Sequence, residues 1–334
     1  SSRIHQLGSG ITHALGTGGR DLSQAVGAVT ARQGLDLLSR DPETRVIVLV
    51  SKPPAPKVAD DLLRAARSAG KPVVVDFIGY SPPARQVDNL HFATSLDETA
   101  DLAVQLATSA PNTQSEFRIP KSVDLDRLAP GQRYLRGLFS GGTLAYEALL
   151  ILQGYLPGVY SNAPLDKDYR LANSMVSQAH TIVDLGEDEF TVGRLHPMMD
   201  NDLRIRRLQQ EAGDPEVAVI LLDVVLGYGA HPDPASELAP AIAKARTKSE
   251  QAGRYLEVVA IVVGTDEDPQ DMDAQVQQLE DAGARVETSN EAAIRYVGRL
   301  LQYPISNIQY PTPVDLSVLH QPLAAINVGL ESFT

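Results

Sequence analysis

Short apolar runs alternate with amphipathic stretches along most of the chain. In the first part, residues 11–15, 46–50 and 73–78 predict strands, and 22–39 and 57–69 carry helical periodicity between them. The strand candidates are dense in Val and Ile and do not alternate with polar residues, the pattern of parallel strands covered on both faces. Strands separated by helices predict right-handed βαβ units in a doubly wound α/β fold. A further helix is expected after Ser95, where Glu98 completes a capping box. The second part repeats the plan, with strands predicted at 134–139, 181–185, 217–224, 256–263 and 284–288. Its helices are predicted at 143–153, 201–212, 234–252, 271–282 and 290–301.

The two halves also match in sequence. "LLSRDPETRVIVLV" (37–50) and "LQQEAGDPEVAVILLDV" (208–224) each end a helix, turn through Asp-Pro-Glu and enter a buried strand. "KPVVVDFIG" (71–79) and "LEVVAIVVG" (256–264) each run from a strand to a glycine. Duplication accounts for the pair. The second half opens with a strand, the turn Ser140-Gly141-Gly142 and a helix. The first opens with "SSRIHQLGSG", the end of a helix with a glycine stop, and then the strand at 11–15. An opening strand and Gly turn are therefore expected upstream, filling a gap beside 11–15; a native four-stranded first domain is the other reading. The boundaries are a first domain at 1–107, a polar, proline-rich linker at 108–132 and a second domain at 133–334.

Composition narrows the function classes. The chain has 334 residues, 29 basic and 42 acidic side chains, a net charge of −13 and no cysteine. Disulfides, zinc–thiolate sites and cysteine nucleophiles are excluded, and no metal site is expected. No apolar run approaches the roughly 18 residues of a membrane span, so a cytoplasmic protein is expected. The acidic balance argues against nucleic acid or anionic membrane as partners. A small anionic ligand is compatible with it, because local N–H groups hold an anion against the overall field.

Three glycine-bearing turns follow predicted strands: "GTGGRDLS" (16–23), "SGGT" (140–143) and "DLGEDEFTVGRLHPMMD" (184–200). Such turns line the crevice at the carboxyl ends of an open sheet. Gly18, Gly19, Arg20, Ser140, Gly141, Gly142 and Thr143 are the candidate phosphate ligands, tight turns without a ligand being the alternative. None is a P-loop, and the dinucleotide fingerprint is absent. His196 and Arg194 share one loop, an imidazole for proton transfer beside a guanidinium for an anion; a backbone-bonding loop histidine is the other possibility. His91 precedes the Ser95 helix. Lys52 ends a strand and could meet an anion or only solvent. Asp223 closes a buried strand ahead of Gly227 and Gly229, which suggest close backbone approach.

On these motifs, together with "VSKPP", "SLDETA", "LLDVVLGYGAHPDP" and "AAINVGLESF", the chain resembles the succinyl-CoA synthetase superfamily, and within it the FdrA branch. The resemblance implies two flavodoxin-like ligase domains with parallel sheets, the first lacking its opening strand, and a preceding CoA-binding domain or partner subunits in an oligomer. It implies CoA, ATP or carbamoyl phosphate as ligands. The superfamily's phosphorylated histidine corresponds in position to His91, but without the glycines of its loop. The glutamate that steadies that histidine corresponds to Lys52, where a cation would instead attract a substrate anion. The expected function is handling of an acyl or carbamoyl phosphate between the domains, with oxamate carbamoyl transfer in allantoin breakdown as the specific form. ATP-dependent acyl-CoA ligation and a non-catalytic scaffold are the alternatives. Substitution of His196 or Arg194 is expected to abolish turnover, whereas His91→Ala should keep part of it.

Overall fold

The computed structural model describes residues 1–80, 84–108 and 127–302. Two parallel-dominated sheets are covered by helices on both faces. The first half contains α1 (Ser2–Gln6), α2 (Val29–Arg40), β1 (Ile47–Ser51), α3 (Pro56–Arg67), β2 (Val73–Phe77), β3 (Gln86–Val87), β4 (Leu90–Phe92) and α4 (Leu96–Thr108). Its strands lie in the order β1-β2-β4-β3, with only β3 antiparallel. Val73, Val75 and Phe77 face α2 and α3, whereas Val74 faces α1 and α4.

The second half runs β5 (Tyr134–Phe139), α5 (Gly142–Leu152), β6 (Tyr160–Ser161), β7 (Thr181–Asp184), α6 (Asp188–Thr191), α7 (Asp202–Ala212) and β8 (Val217–Val225). It continues with α8 (Pro234–Gln251), β9 (Glu257–Val263), α9 (Met272–Asp281), β10 (Arg285–Glu287) and α10 (Asn290–Leu301). The sheet is all parallel, in the order β10-β9-β8-β5-β7-β6. Ile220, Leu222 and Val224 pack towards α7, α8 and α9, while Val219 and Leu221 pack towards α5 and α10. Side chains alternate between faces along a strand, so an apolar layer on each side requires the unbroken apolar run of β8.

The duplication recurs in three dimensions, because β1, β2 and β4 neighbour one another as β8, β9 and β10 do. In the two Asp-Pro-Glu turns, the Asp41 carboxylate accepts from Thr44 N–H at 3.0 Å and Asp214 accepts from Glu216 N–H at 2.9 Å. A cation closes each turn: Lys71 donates to the carbonyls of Leu38 and Asp41, and Arg254 to those of Ala212 and Asp214.

Two sequence expectations need correction. Residues 11–15 are not a strand, and among the described residues nothing pairs with the outer edge of β1. Side chains hold this segment instead: Thr12 Oγ1 lies 3.2 Å from Thr44 Oγ1, and His13 lies 3.4 Å from Asp41. Ile11 and Leu15 remain about half exposed, so the apolar burial that would favour a ladder is missing. The helix expected from residue 22 begins only at Val29, because turns occupy the intervening segment and Asp21 caps the helix. The Asp21 carboxylate accepts from the N–H groups of Thr30 and Ala31 at 2.9 and 2.8 Å. The short strands β3, β4 and β6 were not predicted, being too brief for a periodic signal. Residues 109–126 of the expected linker and the "AAINVGLESF" motif at 324–333 lie outside the described residues. Among the described residues, no helix is long and apolar enough to cross a membrane.

Buried polar groups join the halves. Glu147 of α5 accepts from the N–H of Leu96, the first residue of α4, at 2.8 Å and from Asn290 Nδ2 at 2.7 Å. Ser289 also bonds to Asp97. Burial, reinforced by Asp97 and Glu291 and opposed by the Leu96 and Asn290 hydrogen bonds, pushes the Glu147 carboxyl up to about 7. Burial likewise lifts Asp76 and Asp184 to about 6. These carboxyls hold protons in the folded chain at pH values where the unfolded chain has released them. The stability they contribute is complete below about pH 4 and is lost as pH rises through their folded values. His180 acts in the opposite sense: burial and Arg136 lower it to about 4, so its contribution is lost as pH falls below 6.5. Three carboxyls outweigh one histidine, so these groups should make stability fall steadily as pH rises above about 4, with about 1 kcal/mol of that loss between about pH 6.5 and 8, roughly 2 °C in midpoint. Thermal melts across this range test the expectation, and Glu147→Gln should flatten most of the slope.

Candidate functional site

The connections after β5 and β8 run to opposite faces of the second sheet, so a crevice opens between their carboxyl ends. Asp223 lies at its floor, fully buried. Its carboxylate accepts from Ser140 N–H at 2.7 Å, Ser140 Oγ at 2.6 Å and Arg204 Nη1 at 3.0 Å. Ser140 and Asp223 were both candidate site residues, yet these bonds take up both Ser140 donors, and Arg204 balances the Asp223 charge. They hold the turn in place and are not free to meet a ligand.

Above this floor, Gly141 is extended and Gly142 begins α5, with Thr143 exposed beside it. A Cβ on Gly142 would lie 2.5 Å from Asp184 Oδ2 and 2.5 Å from Lys52 Nζ. Lys52 comes from the other half of the chain, one residue beyond β1, and its ammonium is 3.8 Å from Glu187 Oε1. The start of α5 thus has a cation from the first sheet and a carboxylate from the second directly over it.

Asp184 ends β7 and is held rigidly. Asn162 brackets its backbone, accepting from Asp184 N–H and donating to the Asp184 carbonyl, both at 2.9 Å. Asp184 Oδ1 accepts from Gly186 N–H at 2.9 Å. Burial raises its carboxyl to about 6; Glu187 and Asp223 add to the shift, and the Gly186 hydrogen bond and Lys52 oppose it.

His196 lies on the Gly186 side of Asp184, away from the contacts of Gly142. Its Nδ1 accepts from Met198 N–H at 3.3 Å, which assigns the neutral-ring proton to Nε2. Nε2 would lie 3.0 Å from a Cβ on Gly186, and Asp184 Oδ1 3.2 Å from the same point. Arg194 lies elsewhere: it lines a recess of about 330 Å³ with Leu185, Phe190, Pro197, Leu203 and Arg206. The structure does not bring the Arg194 and His196 side chains together as the sequence suggested.

His91 lies within β4 in register with Val74, three positions before the Phe77 end of β2. Burial lowers its pKa. Gly18, Gly19 and Arg20 form an exposed turn that does not open α2, since Asp21 already occupies that helix start. Among the described residues, no hydrogen bond or ion pair links them to the Gly141–Gly142 turn. Gly227 adopts φ +135°, a conformation that favours glycine, and Gln270 holds both its N–H and its carbonyl; Gly229 is exposed. Among the described residues, no cluster of three metal-binding side chains occurs.

Asp184, Asn162 and Glu187 were missed as individual site residues. A signal for Asp184 was present: apolar runs ending in aspartate, as in "VVVDF", "TIVDL" and "LLDVV". Which of those aspartates has a free oxygen is not written in the pattern.

Residues 138–300 match the protein family described as CoA-ligase, a span reaching from β5 into α10. Over 293 residues the chain is 41% identical to the uncharacterized protein YahF of Escherichia coli (strain K12), covering 87% of this chain and 57% of YahF. The chain thus spans little more than half the length of that relative. Among solved structures it is similar to PH0766 from Pyrococcus horikoshii OT3, with a TM-score of 0.34 and 12% identity over 81% of this chain and 55% of that one. It is also similar to an ATP citrate lyase from Methanothrix soehngenii in complex with citrate and coenzyme A, with a TM-score of 0.32 and 12% identity over 86% and 41% of the two chains. Scores this low carry no argument about fold or function.

Proposed function

Starting from a CoA-ligase domain across residues 138–300, we propose that the chain is an FdrA-like acyl-transfer subunit that binds an acyl or carbamoyl phosphate over Gly142. The observation that supports this reading is that Lys52 Nζ, from the first half, lies directly against the first turn of α5, close enough that a Cβ on Gly142 would fall 2.5 Å from it. A phosphate group at this turn would meet free N–H groups and the positive end of the helix dipole, and the half-exposed Lys52 side chain would swing to it with a full charge. Gly141, Gly142 and Thr143 donate backbone N–H groups to phosphate oxygens, and His196 Nε2–H, on the Gly186 side of Asp184, donates to an oxygen of the reacting group. Carbamoyl transfer involving oxamate is the specific form proposed. ATP-dependent acid–CoA ligation is the second reading, favoured by the family match itself, and it requires a histidine that accepts a phosphoryl group.

Calorimetric titration with carbamoyl phosphate, and an assay of its formation from oxamate-type donors with partner subunits present, test the proposal. Lys52→Met should weaken binding by about tenfold or more, the loss of one charge-assisted contact. His196→Ala should lower turnover about 100-fold while binding persists. His91→Ala should keep at least part of the activity. Label from ATP appearing on His91 would favour the second reading instead.

A further inference from the structure

We propose that an anion binds over Gly142 together with a proton carried on Asp184 Oδ2. The inference rests on reading that turn as an anion site, and it assigns a role to a residue outside the expected ligand set. Asp184 is 3% exposed. Its Oδ1 accepts from Gly186 N–H, but among the described residues no hydrogen bond reaches Oδ2, which points into the space over the first turn of α5. The Asp184 side chain is buried as a whole, and its one oxygen without a hydrogen bond among the described residues is aimed at a helix start, an acceptor facing the place where a phosphate oxygen would lie.

Two acceptors cannot share that space without a proton between them. The charged and titratable groups around Asp184 do not remove the conflict. Lys52, from the end of β1, already lies 3.8 Å from Glu187, which follows β7. Asp223, from β8, is engaged by Arg204 and Ser140. His196, from the loop before α7, offers its Nε2 proton on the Gly186 side. An ionised Asp184 would therefore add a like charge at contact distance, in a place where water screens little. Once protonated, Oδ2 becomes a donor and completes the cradle of backbone amides and ammonium. The elevated carboxyl of Asp184, about 6 before any anion arrives, agrees with this, and a bound dianion would raise it further. The ligand class is a phosphate dianion, including that of an acyl phosphate.

The test titrates the full chain with sulfate, which stays dianionic between about pH 6 and 8, in two buffers of different ionisation enthalpy. Wild type should take up as much as one proton on binding, and its affinity should fall by up to about tenfold per pH unit towards pH 8. Asp184→Asn keeps an oxygen for Gly186 N–H and places an NH₂ where the acid's O–H would stand. It should bind sulfate with an affinity that is flat across the range and exceeds wild type at pH 8. Sulfate binding by wild type without proton uptake overturns the inference and leaves the anion site intact, as does an unchanged pH slope in Asp184→Asn. Failure of both proteins to bind sulfate overturns the anion site and the inference together.

Discussion

Gly142→Ala is expected to abolish sulfate and phosphate binding, by more than about 100-fold or roughly 2.7 kcal/mol, while the protein remains as stable as wild type. The new methyl would lie 2.5 Å from Lys52 Nζ and Asp184 Oδ2. Lys52 can swing into solvent, whereas Asp184, held at Oδ1 by Gly186 N–H, must turn its free oxygen away from the methyl at a cost of about 1 kcal/mol. Alanine is also the better helix former, by up to about 1 kcal/mol in a helix interior, which offsets the local crowding. Binding has no such relief. The methyl narrows the approach of an anion to the turn, and the displaced ammonium no longer balances its charge. Titration with sulfate beside a thermal melt separates the two effects, and wild-type affinity in the variant would show that the anion lies elsewhere.

The second large effect concerns stability alone. Glu211 of α7 is buried, and its two oxygens receive Arg136 Nε at 2.9 Å, Arg207 Nη2 at 2.8 Å and Ser177 Oγ at 2.7 Å. Arg136 and Arg207 are themselves 3% and 1% exposed. Glu211→Ala strands two buried guanidinium groups; Arg136 keeps Asp214 as a partner, whereas Arg207 keeps only a carbonyl and a hydroxyl. Breaking a buried network from one side costs about 3–5 kcal/mol, and urea unfolding should show that loss with an unchanged slope. Glu211→Gln, which keeps an acceptor, should lose less. A loss below about 1 kcal/mol for Glu211→Ala would mean that water reaches the two arginines after all.

Much of the second half was legible from residue order alone. β8 and β9 read as unbroken apolar runs because both faces of a parallel strand are covered. The helices read from their periodicity, and the Asp-Pro-Glu turns from their composition, because a helix or a turn satisfies its backbone hydrogen bonds with near neighbours. Residues 11–15 show where that logic stops. Their pattern suits a strand, but among the described residues the segment forms no ladder with the open edge of β1, and side-chain contacts to Thr44 and Asp41 hold it instead. The α2 start moved for a related reason: Asp21 caps it from within a turn, and no periodicity records a cap that distant.

The candidate site divides along the same line. The glycine turn at 140–142 and the loop carrying His196 were visible because each is a short local motif. Tertiary structure alone placed Lys52 over Gly142, directed Arg194 into a separate recess, and enclosed Ser140 and Asp223 beneath the site. Arg136 and Arg207 read as ordinary charged residues of a strand and a helix; only the packing of α7 on β5 buried them with Glu211. These features depend on which charges meet and which are shielded from water. Coulomb interactions and desolvation act across space between segments remote in sequence, so the order of residues supplied the groups and the fold determined what each could do.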